Sequence, residues 1–307
     1  MSISTIGEGK AAWAHDAEIQ KLEMRLLLSY FYFGKHELDE HIPQYLHPPY
    51  PDMFCDSGAF SALTQKTPIN LNDYIGWLKR NKHWFSVYAN LDVIGDPQAT
   101  LRNQMTMEDA GLTPIPVFHG GSDWSYLERY IEHYPYIALG GIVGKNSTPF
   151  IIRCLKMAQG KSVFHAFGNT SWDVFLDLPL YSVDSSTWGM VFRYGRLALF
   201  DDIKGGITYV QLGDKKGVYK SAALLRRYGV DPKPLAESSK PDRALVSGLA
   251  AKAYMLAEQW ATRRHGPIAI PTRPDAPPGR RLYLVDGTMT NFRYMQQGWD
   301  RLDGTHV

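Results

Sequence analysis

Three carboxylates in this chain stand where short apolar runs give way to polar residues or glycine. Asp56 closes the run 53–55 and is followed by Ser57, Gly58, Ala59 and Phe60. Asp92 ends the run 84–92 (WFSVYANLD), and Asp184 lies near the end of 180–186 (LYSVDSS). Between them come His119 with Gly120 and Gly121 after 113–119, Gly140 and Gly141 at the end of 136–141, and Gly168 after SVFHAF. An acid at the point where a strand stops is fixed by the strand and opened by the loop. Glycine lets backbone amides approach a ligand, and Phe60 offers a flat apolar plate. Such a set suits a flat, polar heterocycle on a sugar. One carboxylate accepts from the N–H and NH2 edge of a purine-like base. A second attacks the anomeric carbon, whose oxocarbenium character an anion stabilises. Taken alone, Asp56 would read equally as a capping acid in a serine–glycine turn.

For these residues to meet, the runs that carry them must be neighbouring strands with their ends at one mouth. Strands are expected over 25–33, 53–55, 84–92, 113–119, 136–141, 162–168 and 180–186. Helices are expected over 70–82, 97–110, 123–134, 148–159 and 170–178, with Pro97 in a first turn. This alternation predicts an α/β chain folded as a (β/α)8 TIM barrel, with its site at the C-terminal ends of the strands. A doubly wound open sheet would place a glycine-rich phosphate loop after the first strand, and Phe33-Gly34-Lys35 is not one. Residues 1–20 read as an arm or short helix. Beyond Trp188 the rhythm breaks. The runs 197–202 and 206–212 read as a hairpin or a closing strand, 220–228 and 243–264 as helices, and 282–285 as a short strand. The expected organisation is a barrel domain over 1–215 and a basic, mainly helical extension over 216–307, packed on the barrel.

Hydrophobic residues make up 44% of the 307 and charged residues 21%, as in ordinary globular chains. No apolar run approaches the ~20 residues of a membrane span, and the N-terminus lacks a signal-peptide core. Cys55 and Cys154 are the two cysteines. They support neither a disulfide framework nor a zinc knuckle, which suggests a reducing cytoplasm. His36, His41 and His47 match neither a helix face nor a strand face, and no metal or other cofactor is expected. Residues 1–188 carry 14 basic against 20 acidic side chains, and 189–307 carry 19 against 11. The basic C-terminal part implies a polyanionic partner.

Asp56-Ser57-Gly58-Ala59-Phe60 resembles the D-S-G-G-[FY] signature of the queuine and archaeosine tRNA-guanine transglycosylases. Ala89-Asn90-Leu91-Asp92 resembles their base-reading aspartate strand, Val117-Phe118-His119-Gly120-Gly121 their V-Q-G-G/S segment, and Leu139-Gly140-Gly141-Ile142-Val143-Gly144 their G-G-L-x-V-G loop. Val183-Asp184-Ser185-Ser186 is similar to the strand carrying the nucleophile, and Arg193-Tyr194-Gly195-Arg196 to the R-x-A-R-H-G segment after it. The resemblance covers residues 50–215 in order, and it implies roles. Asp184 would attack C1′ of a guanosine and form a covalent glycosyl intermediate, with Asp56 as general acid and base. Asp92, His119, Ser57 and the Gly140-Gly141 segment would read the base, Phe60 would stack on it, and Ile142 and Val143 would line the 7-substituent.

The departures are as informative. No cysteine follows Cys154, so the family's C-terminal zinc site has no ligands here. His119 stands where the family has glutamine, and Ala59 and Ser61 replace Gly and Gln. A zinc-free chain of this kind resembles the phage-type DNA-guanine transglycosylases, which implies exchange of guanine in DNA for a 7-deazaguanine such as preQ0, in the host cytoplasm. Arg193, Arg196, Lys215 and Lys216 would then grip phosphates, and Trp188, Phe192 and Tyr194 would either support a flipped-out base or pack the barrel. The alternatives are the same chemistry on tRNA, a non-catalytic nucleic-acid-binding barrel, and a metal-dependent hydrolase built on Asp56, His119 and Asp184. Homo-oligomer formation is left open.

Overall fold

The computed structural model describes residues 22–142, 147–168, 172–271 and 279–303. The expected arm over 1–20 and Val143 lie outside these residues. Eight strands form one parallel sheet: β1 (Arg25–Ser29), β2 (Asp52–Asp56), β3 (Val87–Tyr88), β4 (Val117–His119), β5 (Tyr136–Gly140), β6 (Val163–Ala166), β7 (Ser182–Ser185) and, after an antiparallel pair β8 (Arg196–Asp201) and β9 (Gly206–Gln211), β10 (Arg281–Val285). The order across the sheet is β3-β2-β1-β10-β7-β6-β5-β4. The sheet curls, and its edges touch at one parallel bridge between Ala89 and Ile115.

Helices separate the parallel strands: α1 (Ala59–Thr64), α2 (Leu71–Asn81), α3 (Pro97–Asp109), α4 (Trp124–His133), α5 (Thr148–Ala158), α6 (Trp172–Asp177), α7 (Arg243–His265) and α8 (Met289–Asp303). Their starts are written locally. Asn70 accepts from the amides of Asn72 and Asp73, and Asp96, Asp123 and Asp242 cap α3, α4 and α7 in the same way. Each such cap contributes about 1 kcal/mol. None of the described helices is long and apolar enough to cross a membrane.

Side-chain parity along the strands decides what faces the concave interior. Leu27, Phe54, Val87, Val117, Tyr136, Ala138, Val163 and Tyr283 form one buried cluster inside the curl, whereas Leu26, Leu28, Met53, Cys55, Leu139, Phe164 and Val183 pack outward under the helices. Two residues beyond Phe54 on the inner face is Asp56; two beyond Val117 is His119; two beyond Ala138 is Gly140. The strands thus bury an apolar plug and present chemistry above it.

Two expected strands are cut short. Of the run 84–92 only Val87–Tyr88 is strand, and Asp92 stands in the loop beyond it. The apolar run 25–33 is not one strand. It leaves the sheet after Ser29, level with Asp56 on β2, and Tyr30–Phe33 makes a helical turn that packs Tyr30 on the rings of Tyr74 and Trp77. Of the two readings of 197–202 and 206–212 the hairpin holds: they form β8–β9, a separate sheet, and neither closes the large one. That place belongs to β10, which pairs with β1 and β7. Residues 281–285, within the expected C-terminal extension, thus lie in the middle of the sheet. Ion pairs fasten the join. Arg25 on β1 lies 2.8 Å from Asp52 and 3.0 Å from Glu258 of α7, Arg281 lies 3.2 Å from Asp52, and the amide of Leu282 donates to Glu258 at 2.6 Å. Removing one partner would leave a buried charge uncompensated, at a cost of about 3–5 kcal/mol. On the outside, α7 and α8 cross at Gly248 and Gly298, where a Cβ on Gly298 would overlap the backbone carbonyl of Ala244.

Candidate active site

Asp56 is the last residue of β2 and is only partly exposed. The chain turns immediately after it because Gly58 adopts φ +81°, a conformation that favours glycine, and because a Cβ there would strike Phe31 and the Ser29 hydroxyl. The turn folds the Gly58 amide back to donate to Asp56 Oδ2 at 3.1 Å. It also buries Ser57, whose hydroxyl donates to Asp92 Oδ1 at 3.0 Å. Burial, followed by the negative fields of Asp92 and Asp184, pushes the Asp56 carboxyl up to about 8. Asp56 therefore carries a proton at neutral pH.

Asp92 is engaged on both oxygens, because His119 Nε2 lies 2.8 Å from Oδ2. His119 reaches it because residue 140 is glycine: a Cβ at Gly140 would sit 2.6 Å from His119 Cδ2 and 2.9 Å from Nε2. Gly141 follows with φ +68°, and the Gly120 amide donates to the Gly140 carbonyl at 3.0 Å. Ile142 is buried against Gly120 and forms part of the wall. Ser57, Asp92, His119 and Gly140 thus make one connected unit beside Asp56.

Asp184 projects from β7 and is 7% exposed. Its Oδ1 accepts from the Gly168 amide at 2.8 Å and lies 3.2 Å from His165 Nε2. Its Oδ2 has no hydrogen-bond partner among the described residues. Parity with Ser182 puts Asp184 on the inner face of β7, as parity with Phe54 puts Asp56 on that of β2. Phe60, at the start of α1, is 59% exposed and free to meet a ligand.

The residues expected to hold phosphates all lie on the insertion between β7 and α7. Arg193 is exposed and donates from Nη2 to the Ser186 carbonyl at 3.0 Å, two residues beyond Asp184. Arg196 stacks on the ring of Tyr209 at 4.0 Å, and Lys215 and Lys216 are exposed at the start of a short helix. Two of the three aromatics assigned to a flipped base are needed elsewhere. Trp188 is 2% exposed, and its indole N–H donates to the Val285 carbonyl at 2.8 Å. Phe192 packs edge-on against Trp188, with centroids 5.5 Å apart. Trp188 ties β10 to the insertion and Phe192 backs it, which leaves Tyr194, 68% exposed, as the free ring.

His165, Ser182 and Tyr136 were not singled out in the sequence, yet they form the floor behind Asp184. The signal was parity: His165 follows Val163 on the inner face of β6, and a histidine among inward apolar residues needs a partner. Among the described residues no three His, Cys, Asp or Glu side chains gather as metal ligands. Compared with known proteins, the chain matches no family model, no curated protein and no solved structure.

Proposed function

We propose that this protein is a guanine transglycosylase acting on DNA, built on a (β/α)8 barrel whose seam runs between β3 and β4. One observation carries the reading: two carboxyls stand on the inner face of the sheet, Asp56 at the end of β2 in surroundings that raise it, and Asp184 on β7 with its Oδ1 held by the Gly168 amide and His165. A raised acid, Asp56, and a second carboxyl held by N–H groups supply an acid and a nucleophile. Asp184 Oδ2 attacks C1′ of a target nucleoside. The C1′–N9 bond breaks, its electron pair leaves with guanine, and Asp56 gives up the proton that lets the base depart neutral. An incoming base then returns its N9 proton to Asp56, N9 attacks C1′, and the Asp184 carboxylate is expelled. Atoms balance over the cycle and no cofactor is consumed.

Ser57, Asp92 and His119 recognise the polar edge of the base, Phe60 covers its face, and the wall at Ile142 flanks a 7-substituent, which makes a 7-deazaguanine such as preQ0 the incoming base. Arg193, Arg196, Lys215 and Lys216 supply a basic rim for the nucleic acid. A duplex target must be flipped, at a cost of a few kcal/mol in lost stacking and pairing; Tyr194 is the ring available to stabilise the gap.

The test is incubation of the protein with labelled guanine or preQ0 and, in parallel, duplex DNA, single-stranded DNA and tRNA. Label entering DNA supports the proposal. Label entering tRNA alone reassigns the acceptor, and no incorporation into any of the three removes the reading.

A further inference from the structure

Behind Asp184 runs a chain of buried polar groups that proton exchange at the mouth does not explain. His165 is fully buried, with Nε2 3.2 Å from Asp184 Oδ1 and Nδ1 2.7 Å from Ser182 Oγ. Ser182 Oγ in turn meets the Tyr136 hydroxyl, and both residues are buried. Phe54 and Phe167 close on the imidazole with ring centroids at 4.6 and 4.5 Å, and Tyr283 lies at 6.3 Å. Three strands, β5, β6 and β7, each contribute one member, so the line crosses the sheet instead of following one element.

The donors and acceptors admit one consistent direction. A carboxylate only accepts, so Nε2 carries the imidazole proton and Nδ1 must accept. Ser182 then donates to Nδ1 and, with its hydrogen spent, accepts from Tyr136. Burial drives the histidine toward its neutral form against the pull of Asp184, in agreement with a single ring proton. Every hydrogen in the line is thus committed. The Asp184 carboxylate is held at Oδ1, while Oδ2 has no hydrogen-bond partner among the described residues.

We infer that His165 is a positioning residue for Asp184, locked in its Nε2–H tautomer by Ser182 and Tyr136, and that this line aims the nucleophilic oxygen at the sugar. The inference rests on the proposed exchange reaction for its kinetic consequence, but not for its geometry. Neutral imidazole donates without adding a positive charge that would blunt the nucleophile. The aromatic cage keeps out water that would offer Asp184 other partners and other rotamers.

Two measurements test it. In the first, the full chain is labelled with 15N-histidine and the ring nitrogens of His165 are read by NMR at pH 7. The expected result is a neutral ring protonated on Nε2, whose Nε2 signal moves in Asp184→Asn and whose Nδ1 signal moves in Ser182→Ala. A ring protonated on Nδ1, or doubly protonated, overturns the proposal whether or not base exchange occurs. In the second, exchange kinetics are compared for His165→Phe, His165→Gln, Ser182→Ala and Tyr136→Phe. Phenylalanine suits the apolar cage but cannot donate, so kcat should fall roughly 10- to 100-fold, as when an outer partner of a reactive ligand is removed, with KM for the nucleic acid unchanged. Glutamine can still donate to Oδ1 and should recover part of the loss. The two smaller variants, which keep the histidine and test the line if His165→Phe does not fold, should each reduce kcat by less. Combined with His165→Phe, Ser182→Ala should add nothing further, because both break one line. A kcat within threefold of wild type in His165→Phe, or losses that multiply in the double variant, overturns the inference. Absence of exchange in the wild-type protein would instead remove the proposed reaction and leave the NMR result to decide the positioning role.

Discussion

Replacing Asp56 with asparagine keeps the size of the side chain and removes its proton equilibrium. In the folded protein the carboxyl is raised from the ordinary 3.8 to about 8, by burial and by Asp92 and Asp184. Folding therefore favours the protonated acid. The stability this proton confers is fully present below about pH 4 and is lost as pH rises through 8. At 1.36 kcal/mol per tenfold the ceiling is roughly 5–6 kcal/mol. Asp56 is partly open to solvent at the mouth, which lowers the realistic figure to about 2–3 kcal/mol. For a chain of 307 residues each kcal/mol moves Tm by about 2 °C. Thermal unfolding of wild type and Asp56→Asn between pH 4.5 and 9 reads this directly. The variant should match the wild type near the low end and gain about 4–6 °C on it at the high end, while losing base exchange throughout. Parallel Tm curves for the two proteins across that range would refute the account of Asp56 as a destabilised, proton-holding acid.

Other expectations follow from contacts of the same kind. Gly140→Ala should push His119 off Asp92 and weaken base binding, seen as a raised KM for the free base with nucleic-acid affinity unchanged, because the added Cβ meets the His119 ring at 2.6–2.9 Å. Gly298→Ala should force α7 and α8 apart at their crossing and lower stability by about 1–3 kcal/mol in denaturant unfolding. Arg193→Ala should weaken nucleic-acid binding and reduce the slope of log K against log salt by about 0.9 if one duplex phosphate contact is lost. An unchanged slope would take Arg193 out of the phosphate contacts.

Asp56 and His119 were legible as strand ends because two local rules agree there: each ends an apolar run, and parity puts each on the inner face. Asp92 ends an apolar run too, but its strand stops at Tyr88 and the acid stands in the loop beyond. Helix α2 was legible to within a residue because Asn70 caps it and its apolar face is regular. What escaped depends on partners far along the chain. Runs 206–212 and 282–285 are both short and apolar, and only register with β1 and β7 makes the latter a member of the large sheet. Tyr30 to Phe33 are good strand formers that turn helical because β2 ends at Asp56 and leaves them unpaired. Trp188 read equally as a base-contacting ring and as a packing one, because an isolated indole after the strand bearing Asp184 has no local signature of burial; the Val285 carbonyl that receives its N–H is 97 residues away. His165 was hidden for the same reason: its partners, Ser182 and Asp184, are 17 and 19 residues on.

The most direct measurement of the central claim is denaturing mass spectrometry of the protein after incubation with a guanine-containing oligonucleotide and no free base, followed by peptide mapping. The proposed chemistry predicts an adduct whose added mass is the oligonucleotide less guanine. It should map to the peptide bearing Asp184, disappear when guanine or preQ0 is added, and be absent in Asp184→Asn. An adduct on another residue, or base exchange that persists in Asp184→Asn, would contradict it.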